Sequence, residues 1–498
     1  MREKRVKYIM KQIVIYDNTI RPNEIIKEVI AEKGFGDIVV RRKKVKKYYQ
    51  EEIEKIFPET AWYELESLYD VEKISNSIEK EKKKEKDDVK IIHCFSDYII
   101  SKQDMVSFTL KKLPYIEESI VLIQENKCPA IMFHTVDDYL EFLEKVLEAY
   151  NVKKVLSELK YAQLEVEGYL YIGEIGNFIQ CITGNFDSRY FNSLQGTQYV
   201  IKKSSKNKTK IKSEYQYYHL LPEHMQRWFV LPFNYREDEA TASYEMERLH
   251  MTDVAIKWVH GSIGIPEFSD LMDMYFRFFD ERTVKEIPKE EYESINKALY
   301  LDKVEMRITE LKNCSQYAKI ANLLSNCEEI GSIDALYERY RKLKQKIESK
   351  VVFTYKSVIG HGDPCFANAM YNRSTRTLKF IDPKGALTEQ ELWTNPYYDI
   401  AKLSHSICGR YDFFNNAMFD IAIDENFNYQ LDISFDNKEY KRLFKEKVEE
   451  NGYSYWAVRV YEVSLFLSML SLHIDYPHKV FGFILNAHEI MKEIEENV

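Results

Sequence analysis

Residues 358–385 read VIGHGDPCFANAMYNRSTRTLKFIDPKG, and this stretch decides the fold. Three of its polar side chains stand out, namely Asp363, Asn368 and Asp382. A polar run over 372–377 separates two short apolar runs, which is typical of a β-hairpin. We expect the hairpin to carry Asp382 back beside Asp363 and Asn368.

These three side chains are of the types that phosphoryl transfer needs. An aspartate accepts the proton of the attacking hydroxyl, while an asparagine and a second aspartate hold the Mg²⁺ ions that bridge the nucleotide phosphates. Mg²⁺ takes few protein ligands, because it keeps several waters and also binds phosphate oxygens. The spacing matches the catalytic half of the kinase signature. It therefore predicts Asp363 as the catalytic base and Asn368 and Asp382 as metal ligands.

The stretch departs from the protein-kinase signature at two places. Gly362 stands where arginine is usual, and Ile-Asp-Pro stands at 381–383 where Asp-Phe-Gly is usual. In this form, HGD-x4-N followed by IDP, it resembles the aminoglycoside phosphotransferase and choline kinase superfamily. The resemblance implies a bilobal protein-kinase-like fold. It also implies ATP or GTP with Mg²⁺ as cofactors, and a small molecule with a hydroxyl group as the phosphate acceptor.

A wider set of features is similar to the phosphotransferases associated with bacterial capsule and surface-polysaccharide synthesis. The set consists of residues 188–192 (SRYFN), Lys202, Glu214 and the two motifs above. In those proteins a kinase-like module often follows a nucleotidyltransferase or another α/β domain. Residues 1–155 lack the glycine-rich, arginine-bearing opening of a nucleotidyltransferase, so the resemblance does not extend to that activity.

A lysine and a glutamate are expected to serve the nucleotide. The strand expected over 198–203 ends in two lysines and precedes a helix that contains Glu214. This order resembles a kinase N-lobe, where a strand lysine reaches the α- and β-phosphates and a glutamate of the next helix holds it. We assign these roles to Lys202 and Glu214. Lys203 is the competing lysine, because neighbouring residues of a strand face opposite sides.

The resemblance also implies a hinge for the base and a loop over the phosphates. The strand before residue 250 resembles the fifth strand and hinge, with backbone groups around Glu245 to Glu247 binding the adenine edge; an ordinary strand is the alternative. The sequence has no complete G-x-G-x-x-G, and only Gly173, Gly176 and Gly184 come near one. The phosphate-covering loop is therefore not located.

Length, charge and cysteine content limit the class of protein. The chain has 498 residues, too many for one core, so two or three domains are expected. The net charge of −9 argues against sequence-independent nucleic-acid binding, which needs a basic face. No apolar run approaches the roughly 20 residues of a membrane span, and no signal peptide is recognised. Seven scattered cysteines without a C-x-x-C pair favour a reducing cytoplasm over a disulfide frame or a zinc site.

The pattern along the chain predicts an α+β protein in three parts. Residues 1–155 open as strand, helix, strand, and we expect an α/β, Rossmann-like domain. Residues 156–250 are expected to form the kinase-like N-lobe, and residues 251–498 a mainly helical C-lobe. Residues 17–19 (DNT) follow the first strand and are a candidate site, although this is also common turn chemistry.

The sequence leaves several functions open. The main hypothesis is an ATP- or GTP-dependent kinase of a sugar, a choline-like amino alcohol or a similar small molecule, with surface-polysaccharide synthesis as one setting. One alternative is a catalytically inactive pseudokinase scaffold. Another is a nucleotidyl- or glycosyl-transferase whose chemistry lies in residues 1–155. The purely structural alternative for the motif is a buried turn in which Asp363 caps a helix. Neither the acceptor nor the oligomeric state can be read from the sequence.

Overall fold

The computed structural model describes residues 11–40, 42–85, 89–150, 152–183, 192–196, 199–249, 251–327, 329–424 and 428–498. The chain divides into two compact units, Met1–Gly184 and Asn185–Val498. Both units mix helices with strands, so the α+β class is confirmed.

The first unit contains ten strands and seven helices among its described residues. The strands are Lys11–Asp17 (β1), Val39–Val40 (β2), Lys43–Lys44 (β3), Ala61–Leu65 (β4), Val89–Phe95 (β5), Tyr98–Ile100 (β6), Ile120–Gln124 (β7), Lys127–Phe133 (β8), Ala162–Glu165 (β9) and Tyr169–Tyr171 (β10). The helices are Glu24–Ile30 (α1), Val45–Ile56 (α2), Val71–Glu85 (α3), Gln103–Leu110 (α4), Val136–Ala149 (α5), Val152–Glu158 (α6) and Ile175–Thr183 (α7).

The main sheet of this unit has six strands in the order β4-β1-β5-β8-β7-β9. Strand β1 runs parallel to β4 and β5, but β8 is antiparallel to both β5 and β7. The strand expected at 38–40 forms as β2, yet it pairs with β3 rather than with β1. The sheet is therefore mixed, and the Rossmann-like description is not confirmed.

The first unit ends at Gly184, well beyond the boundary expected at residue 155. Strand β9 completes the main sheet by pairing in parallel with β7, and β10 pairs with β6. Residues 178–183 form a short apolar run that belongs to helix α7. A short apolar run fits a buried helix as well as a strand, so periodicity alone does not separate the two.

The second unit contains twelve strands and thirteen α-helices among its described residues. The strands are Asn192–Gly196 (β11), Val200–Ser205 (β12), Pro232–Glu237 (β13), Ala242–Glu247 (β14), Thr252–Asp253 (β15), Val284–Glu286 (β16), Lys356–Ile359 (β17), Ala369–Asn372 (β18), Thr377–Phe380 (β19), Trp393–Thr394 (β20), Asp420–Ile423 (β21) and Tyr429–Asp432 (β22). The helices are Lys208–Leu220 (α8), Glu223–Gln226 (α9), Val254–His260 (α10), Ile265–Asp280 (α11), Lys289–Lys297 (α12), Lys303–Lys312 (α13), Tyr317–Ser325 (α14), Ile333–Glu348 (α15), Pro396–Ile407 (α16), Tyr411–Asn415 (α17), Lys438–Glu450 (α18), Tyr455–Met469 (α19) and Pro477–Asn497 (α20).

The second unit begins with a small antiparallel sheet and continues as a mainly helical part. The sheet has the strand order β11-β12-β14-β13, and helix α8 packs on it. In the helical part, α19 is buried along its whole length except at Trp456, and it packs against α13, α15, α16 and α20. Burying each large apolar side chain there contributes about 1.5–3 kcal/mol. No helix within the described ranges is both long and apolar enough to cross a membrane.

The predicted catalytic hairpin is present in the second unit. Strands β18 and β19 pair antiparallel with Ala369 opposite Phe380, and β15 extends the pair into a three-stranded sheet. The turn between them lies in the polar run 373–376. This local pairing fixes the end of β19 beside the start of β18, as the spacing predicted.

Candidate active site

The hairpin brings the three residues of the motif to one cavity. Asp363, Asn368 and Asp382 all line a cavity of about 610 Å³ in the second unit, and Glu214 of helix α8 lines the same space. A cavity of this volume is in the usual range for a small-molecule site. The predicted site residues from the catalytic loop, the hairpin and the helix are thus neighbours in space.

A buried histidine shapes the loop that carries Asp363. The Asp363 N–H donates to His361 Nδ1 at 3.0 Å, so Nε2 carries the proton and donates to the Ile381 carbonyl at 3.0 Å. The ring stacks on Phe229 at 5.6 Å, and burial lowers the pKa of His361, which keeps the ring neutral. His361 therefore ties the loop before Asp363 to the strand before Asp382.

Asp399 binds the backbone of the same loop. Its carboxylate accepts the backbone N–H groups of His361 at 3.0 Å and Gly362 at 2.8 Å. The side chain is fully buried and is paired with the buried guanidinium of Arg282 at 3.4 Å. Asp399 therefore holds the backbone of the loop that carries Asp363.

The structure explains why position 362 is a glycine, although the protein-kinase signature has arginine there. Its φ is +86°, and a Cβ there would lie 2.5 Å from the Cβ of Lys384. The Lys384 backbone N–H donates to the His361 carbonyl at 2.9 Å, which fixes this close approach. A residue with a side chain would be strained twice, by its backbone conformation and by contact with Lys384.

Asn368 and Asp382 present oxygen atoms to the cavity. The Asn368 Nδ2 donates to the Asp363 carbonyl at 2.9 Å, which leaves Oδ1 as the side-chain atom available to a ligand. Asp382 adopts a left-handed φ of 54° at the end of the hairpin, and its side chain is 45% exposed. Such a conformation in a non-glycine residue is uncommon and often marks a functional position.

The lysine that contacts Glu214 is Lys203 and not Lys202, the residue assigned from the sequence. Lys202 is exposed, whereas Lys203 is buried and its Nζ lies 2.7 Å from both Glu214 Oε2 and Asp382 Oδ1. Lys203 lies opposite Tyr244 in the sheet, and the Tyr244 hydroxyl donates to Glu214 at 3.2 Å. Burial alone would lower the pKa of Lys203, but Asp382 and Glu214 outweigh it and raise that pKa. Lys203 is thus the lysine that joins Glu214 to Asp382.

The side chains of Glu245 and Glu247 do not reach the cavity. Both lie on β14, where Met246 and Tyr244 face Phe380 and Ile381 across a narrow gap of about 30 Å³. Neighbouring strand residues point to opposite faces, so the two glutamates point away from that gap. Glu245 pairs with β12 and β13 on both sides, whereas the described register of Glu247 involves β12 only. The hinge prediction, which concerned backbone groups, stays a prediction.

Lys402 belongs to the site and was missed from the sequence. Its Nζ lies 3.1 Å from Asp363 Oδ1, and its side chain is 13% exposed. Burial disfavours its charged form, but Asp363 outweighs burial and raises the pKa of Lys402. The sequence did contain a signal for Lys402. It follows Asp399 by three positions on helix α16, so the two side chains share a face of the helix. Because Asp399 binds the loop that carries Asp363, Lys402 on the same face lies beside Asp363.

Several other sequence candidates lie outside the described residues or in the first unit. The former are residues 188–191 and Gly184. The latter are Gly173 and Gly176, at or near the start of α7, whereas the residues that line the cavity belong to the second unit. The phosphate-covering loop therefore stays unlocated.

Residues 17–19 form a closed buried network in the first unit. Asp17 accepts from the Thr19 hydroxyl at 2.6 Å and contacts His93 Nε2 at 3.1 Å. Asn18 binds Asp37 at 3.0 Å and Glu66 at 2.7 Å. Within the described ranges no group of three or more His, Cys, Asp or Glu residues is arranged to hold a metal ion. The network supports a structural role for this turn.

Comparisons with known proteins give solved structures only. No protein-family model matches the chain, and no curated protein sequence matches it. One similar structure is a thermostable mutant of aminoglycoside phosphotransferase APH(4)-Ia in a ternary complex with AMP-PNP and hygromycin B. It is 9% identical with a TM-score of 0.36, over 62% of this chain and 92% of that chain.

Two further solved structures show the same degree of likeness. The apo form of the APH(4)-Ia mutant is 8% identical with a TM-score of 0.33, over 61% of this chain and 94% of that chain. Choline kinase from Cryptosporidium parvum Iowa II is 11% identical with a TM-score of 0.32, over 62% of this chain and 88% of that chain. Since the TM-scores are below 0.5, these likenesses carry no part of the functional inference.

Proposed function

We propose that the chain is a nucleoside-triphosphate-dependent kinase of a small molecule. One observation carries the proposal: Asp363, Asn368, Asp382 and Glu214 line one cavity, and buried Lys203 joins Glu214 to Asp382. These are the groups that phosphoryl transfer needs for a base, a metal and the phosphates. They come from four separate segments, so their convergence supports a function more strongly than the spacing of one motif.

In this proposal Asp363 takes the proton of the acceptor hydroxyl. The acceptor oxygen forms a bond to the γ-phosphorus while the bond from that phosphorus to the β–γ bridging oxygen breaks. The nucleoside diphosphate leaves with the electrons of the broken bond. Lys402 holds the Asp363 carboxylate, and Asp399 holds the loop backbone, so the base is positioned before the substrates bind.

The donor atoms at the cavity fit Mg²⁺. Asn368 Oδ1 and the Asp382 carboxylate are hard oxygen donors on the same cavity, and Mg²⁺ commonly takes only one or two carboxylates plus phosphate oxygens. When bound there, Mg²⁺ supplies charge neutralisation at the β- and γ-phosphates. In the same proposal Lys203 contacts the phosphates, and the backbone near Glu245 and Glu247 binds the base of ATP or GTP.

The setting of the reaction is also a proposal. The scattered cysteines fit a reducing cytoplasm, and the resemblance to capsule-associated phosphotransferases favours surface-polysaccharide synthesis as the process served. We propose no nucleic-acid partner, because the net charge is −9.

A thermal melt with nucleotide tests the proposal without knowledge of the acceptor. Mg²⁺ with ATP or GTP at about 100 times its Kd should add roughly 2.7 kcal/mol to the free energy of unfolding. For a unit of about 310 residues, with an unfolding entropy of about 2.1 cal/mol/K per residue, that corresponds to a rise in Tm of about 4 °C. The Asp382→Ala variant should lose most of the shift, since it removes a metal ligand at the phosphates.

The matched control for this melt is Asp270→Ala, which changes an exposed aspartate of helix α11. It should keep the full shift. If neither nucleotide moves the Tm of the wild type, the kinase proposal fails, and the pseudokinase and N-terminal transferase hypotheses remain.

The corrected lysine gives a second prediction. Lys203→Met should raise the Kd for Mg²⁺-ATP by about 10- to 100-fold, because it removes a charge-assisted hydrogen bond to phosphate. Lys202→Met changes the neighbouring, exposed lysine of the same strand and should leave the Kd within about twofold. Titration calorimetry of the two variants compares them directly, with circular dichroism to verify folding. The reverse ranking would return the role to Lys202.

A further inference from the structure

Part of the cavity wall is left over once the catalytic, metal and phosphate groups are assigned. The remaining wall carries three lysines, Lys210, Lys303 and Lys384, among apolar, aromatic and small polar side chains. It is thus an apolar and aromatic surface with three cationic side chains. This surface is the space left for the acceptor.

Lys210 lies 3.8 Å from Glu214, and Lys384 donates to the carbonyl oxygens of Leu392 at 3.1 Å and Trp393 at 3.4 Å. Lys303 instead contacts an aromatic hydroxyl. Its Nζ donates to the Tyr398 hydroxyl at 2.9 Å and lies 5.5 Å from the centre of that ring. No ion pair joins Lys303 to a carboxylate among the described residues, although the side chain is only partly exposed. By contrast, nearby Lys297 is paired with Asp302 at 2.6 Å. Lys303 is thus a half-buried cation at the cavity without a counter-charge of its own.

The carboxylates of the cavity are already paired with lysines. Glu214 and Asp382 each lie 2.7 Å from Lys203, and Asp363 lies 3.1 Å from Lys402. These three are the acidic residues on the cavity wall within the described ranges. An acceptor with an ammonium group would therefore face the cationic Lys303, and it would find each of these three carboxylates already paired with a lysine. An acceptor with an anionic group would supply the charge that Lys303 lacks.

The backbone at Lys303 is unusual and independently marks this wall. Residues Ala298–Asp302 form a π-helix between α12 and α13, and the Lys303 N–H donates to the Ala298 carbonyl. Such segments are rare and frequently occur at functional sites. Here the π-helix is the segment that contributes Ala298, Leu299 and the following Lys303 to the cavity.

Lys303 and Asp363 line the same cavity. Tyr398 accepts the hydrogen bond of Lys303 and lies four positions before Lys402 on helix α16, so it shares a face with the lysine that pairs with Asp363. The order Lys303, Tyr398, Lys402, Asp363 therefore links the cation to the base through neighbouring side chains. A hydroxyl at Asp363 and an acid group at Lys303 fit within one molecule in a cavity of about 610 Å³.

We propose that the acceptor is an anionic hydroxy compound whose carboxylate or phosphate group binds Lys303. This inference rests on the proposed kinase function and narrows its substrate class. The acceptor hydroxyl loses its proton to Asp363 and gains the γ-phosphoryl group, while the acid group at Lys303 stays unchanged and the nucleoside diphosphate leaves.

A matched set of acceptors tests the inference. Galactose, galactosamine, galacturonate and galactose 6-phosphate share one ring and differ in charge; glycerol, glycerate and glycerol 3-phosphate form a second set. Each is assayed for nucleoside-diphosphate release with Mg²⁺-ATP, and for a rise in Tm with Mg²⁺-AMP-PNP. We expect the anionic members to bind and react in preference to the neutral and cationic ones. The carboxylate and phosphate arms show which acid group Lys303 accepts.

Lys303→Met should raise the KM of the preferred anionic acceptor by about 10- to 100-fold and change kcat much less, because it removes a charge-assisted contact to the substrate. Lys303→Arg keeps the charge and should restore most of the affinity. Lys297→Met changes an exposed lysine one helix earlier and is the control. A merely structural role for Lys303 would not produce this KM effect with rescue by arginine.

The outcomes separate the two proposals. If wild-type protein binds no Mg²⁺-nucleotide, the kinase function fails, and this inference fails with it. If nucleotide binds but the anionic compounds show no advantage over their neutral and cationic counterparts, or neither bind nor react, the anionic acceptor alone is refuted. An anionic preference that Lys303→Met leaves unchanged also refutes the assignment to Lys303.

Discussion

Replacing Asp363 with asparagine is expected to lower turnover by a factor of about 100 to 10 000, the usual contribution of a positioned general base. Asparagine keeps the size of the side chain but cannot take the hydroxyl proton. The loop should persist, because its bonds to His361 and Asn368 involve the Asp363 backbone. The Kd for Mg²⁺-nucleotide should therefore stay within about threefold of the wild type.

The measurement is the rate of nucleoside-diphosphate release, with water or a compound of the acceptor sets as the phosphate acceptor, alongside calorimetry for nucleotide. Asp270→Asn serves as the control, because this aspartate of α11 is exposed and lies outside the cavity. Asp363→Asn also leaves Lys402 without its carboxylate, so folding must be verified by circular dichroism. Turnover at the wild-type rate would remove Asp363 from the mechanism.

The parts of the site that local spacing determines could be predicted from the sequence. A hairpin over a polar turn fixes where its second strand ends, so the position of Asp382 beside Asp363 and Asn368 follows from residues close along the chain. Glu214 lies on the helix that follows the lysine strand, but its role was expected from the resemblance of this order to a kinase N-lobe rather than from spacing alone.

The choice between Lys202 and Lys203 could not be made in this way. The two lysines are adjacent on β12, and a shift of one residue exchanges the faces of a strand. The face is set by pairing with β14, which places Lys203 opposite Tyr244, and by helix α8, which brings Glu214 to that side. Both partners are distant in sequence from the strand.

The boundary of the first unit and the positions of Lys303 and Lys402 depend on contacts even farther apart in sequence. Strand β9 joins the first unit only through parallel pairing with β7, and composition does not reveal such a pairing. Lys303 reaches the cavity through a π-helix that periodicity does not show, and it meets Tyr398 from a different segment. The surroundings of Lys303 were therefore unreadable from sequence, although the convergence of Asp363, Asn368 and Asp382 was predicted.

Replacing Asp399 with alanine is expected to lower the free energy of unfolding by about 3–5 kcal/mol, the cost of removing one partner of a buried ion pair. Arg282 would be left as a buried cation, and the backbone N–H groups of His361 and Gly362 would lose their acceptor. Asp273→Ala is the matched control, since its exposed ion pair with Lys447 should contribute about 1 kcal/mol or less.

Urea unfolding followed by tryptophan fluorescence suits the Asp399 test, because four of the five tryptophans lie in the second unit. The midpoint of Asp399→Ala should fall well below that of Asp273→Ala and the wild type. Asp399→Asn keeps the volume of the side chain but places an amide, with its own donors, against two backbone donors. Its unfolding midpoint should therefore lie between those of Asp399→Ala and the wild type. If Asp399→Ala unfolds at the wild-type midpoint, Asp399 does not hold the catalytic loop. The preorganisation of Asp363 would then have to come from His361 and Lys402 alone.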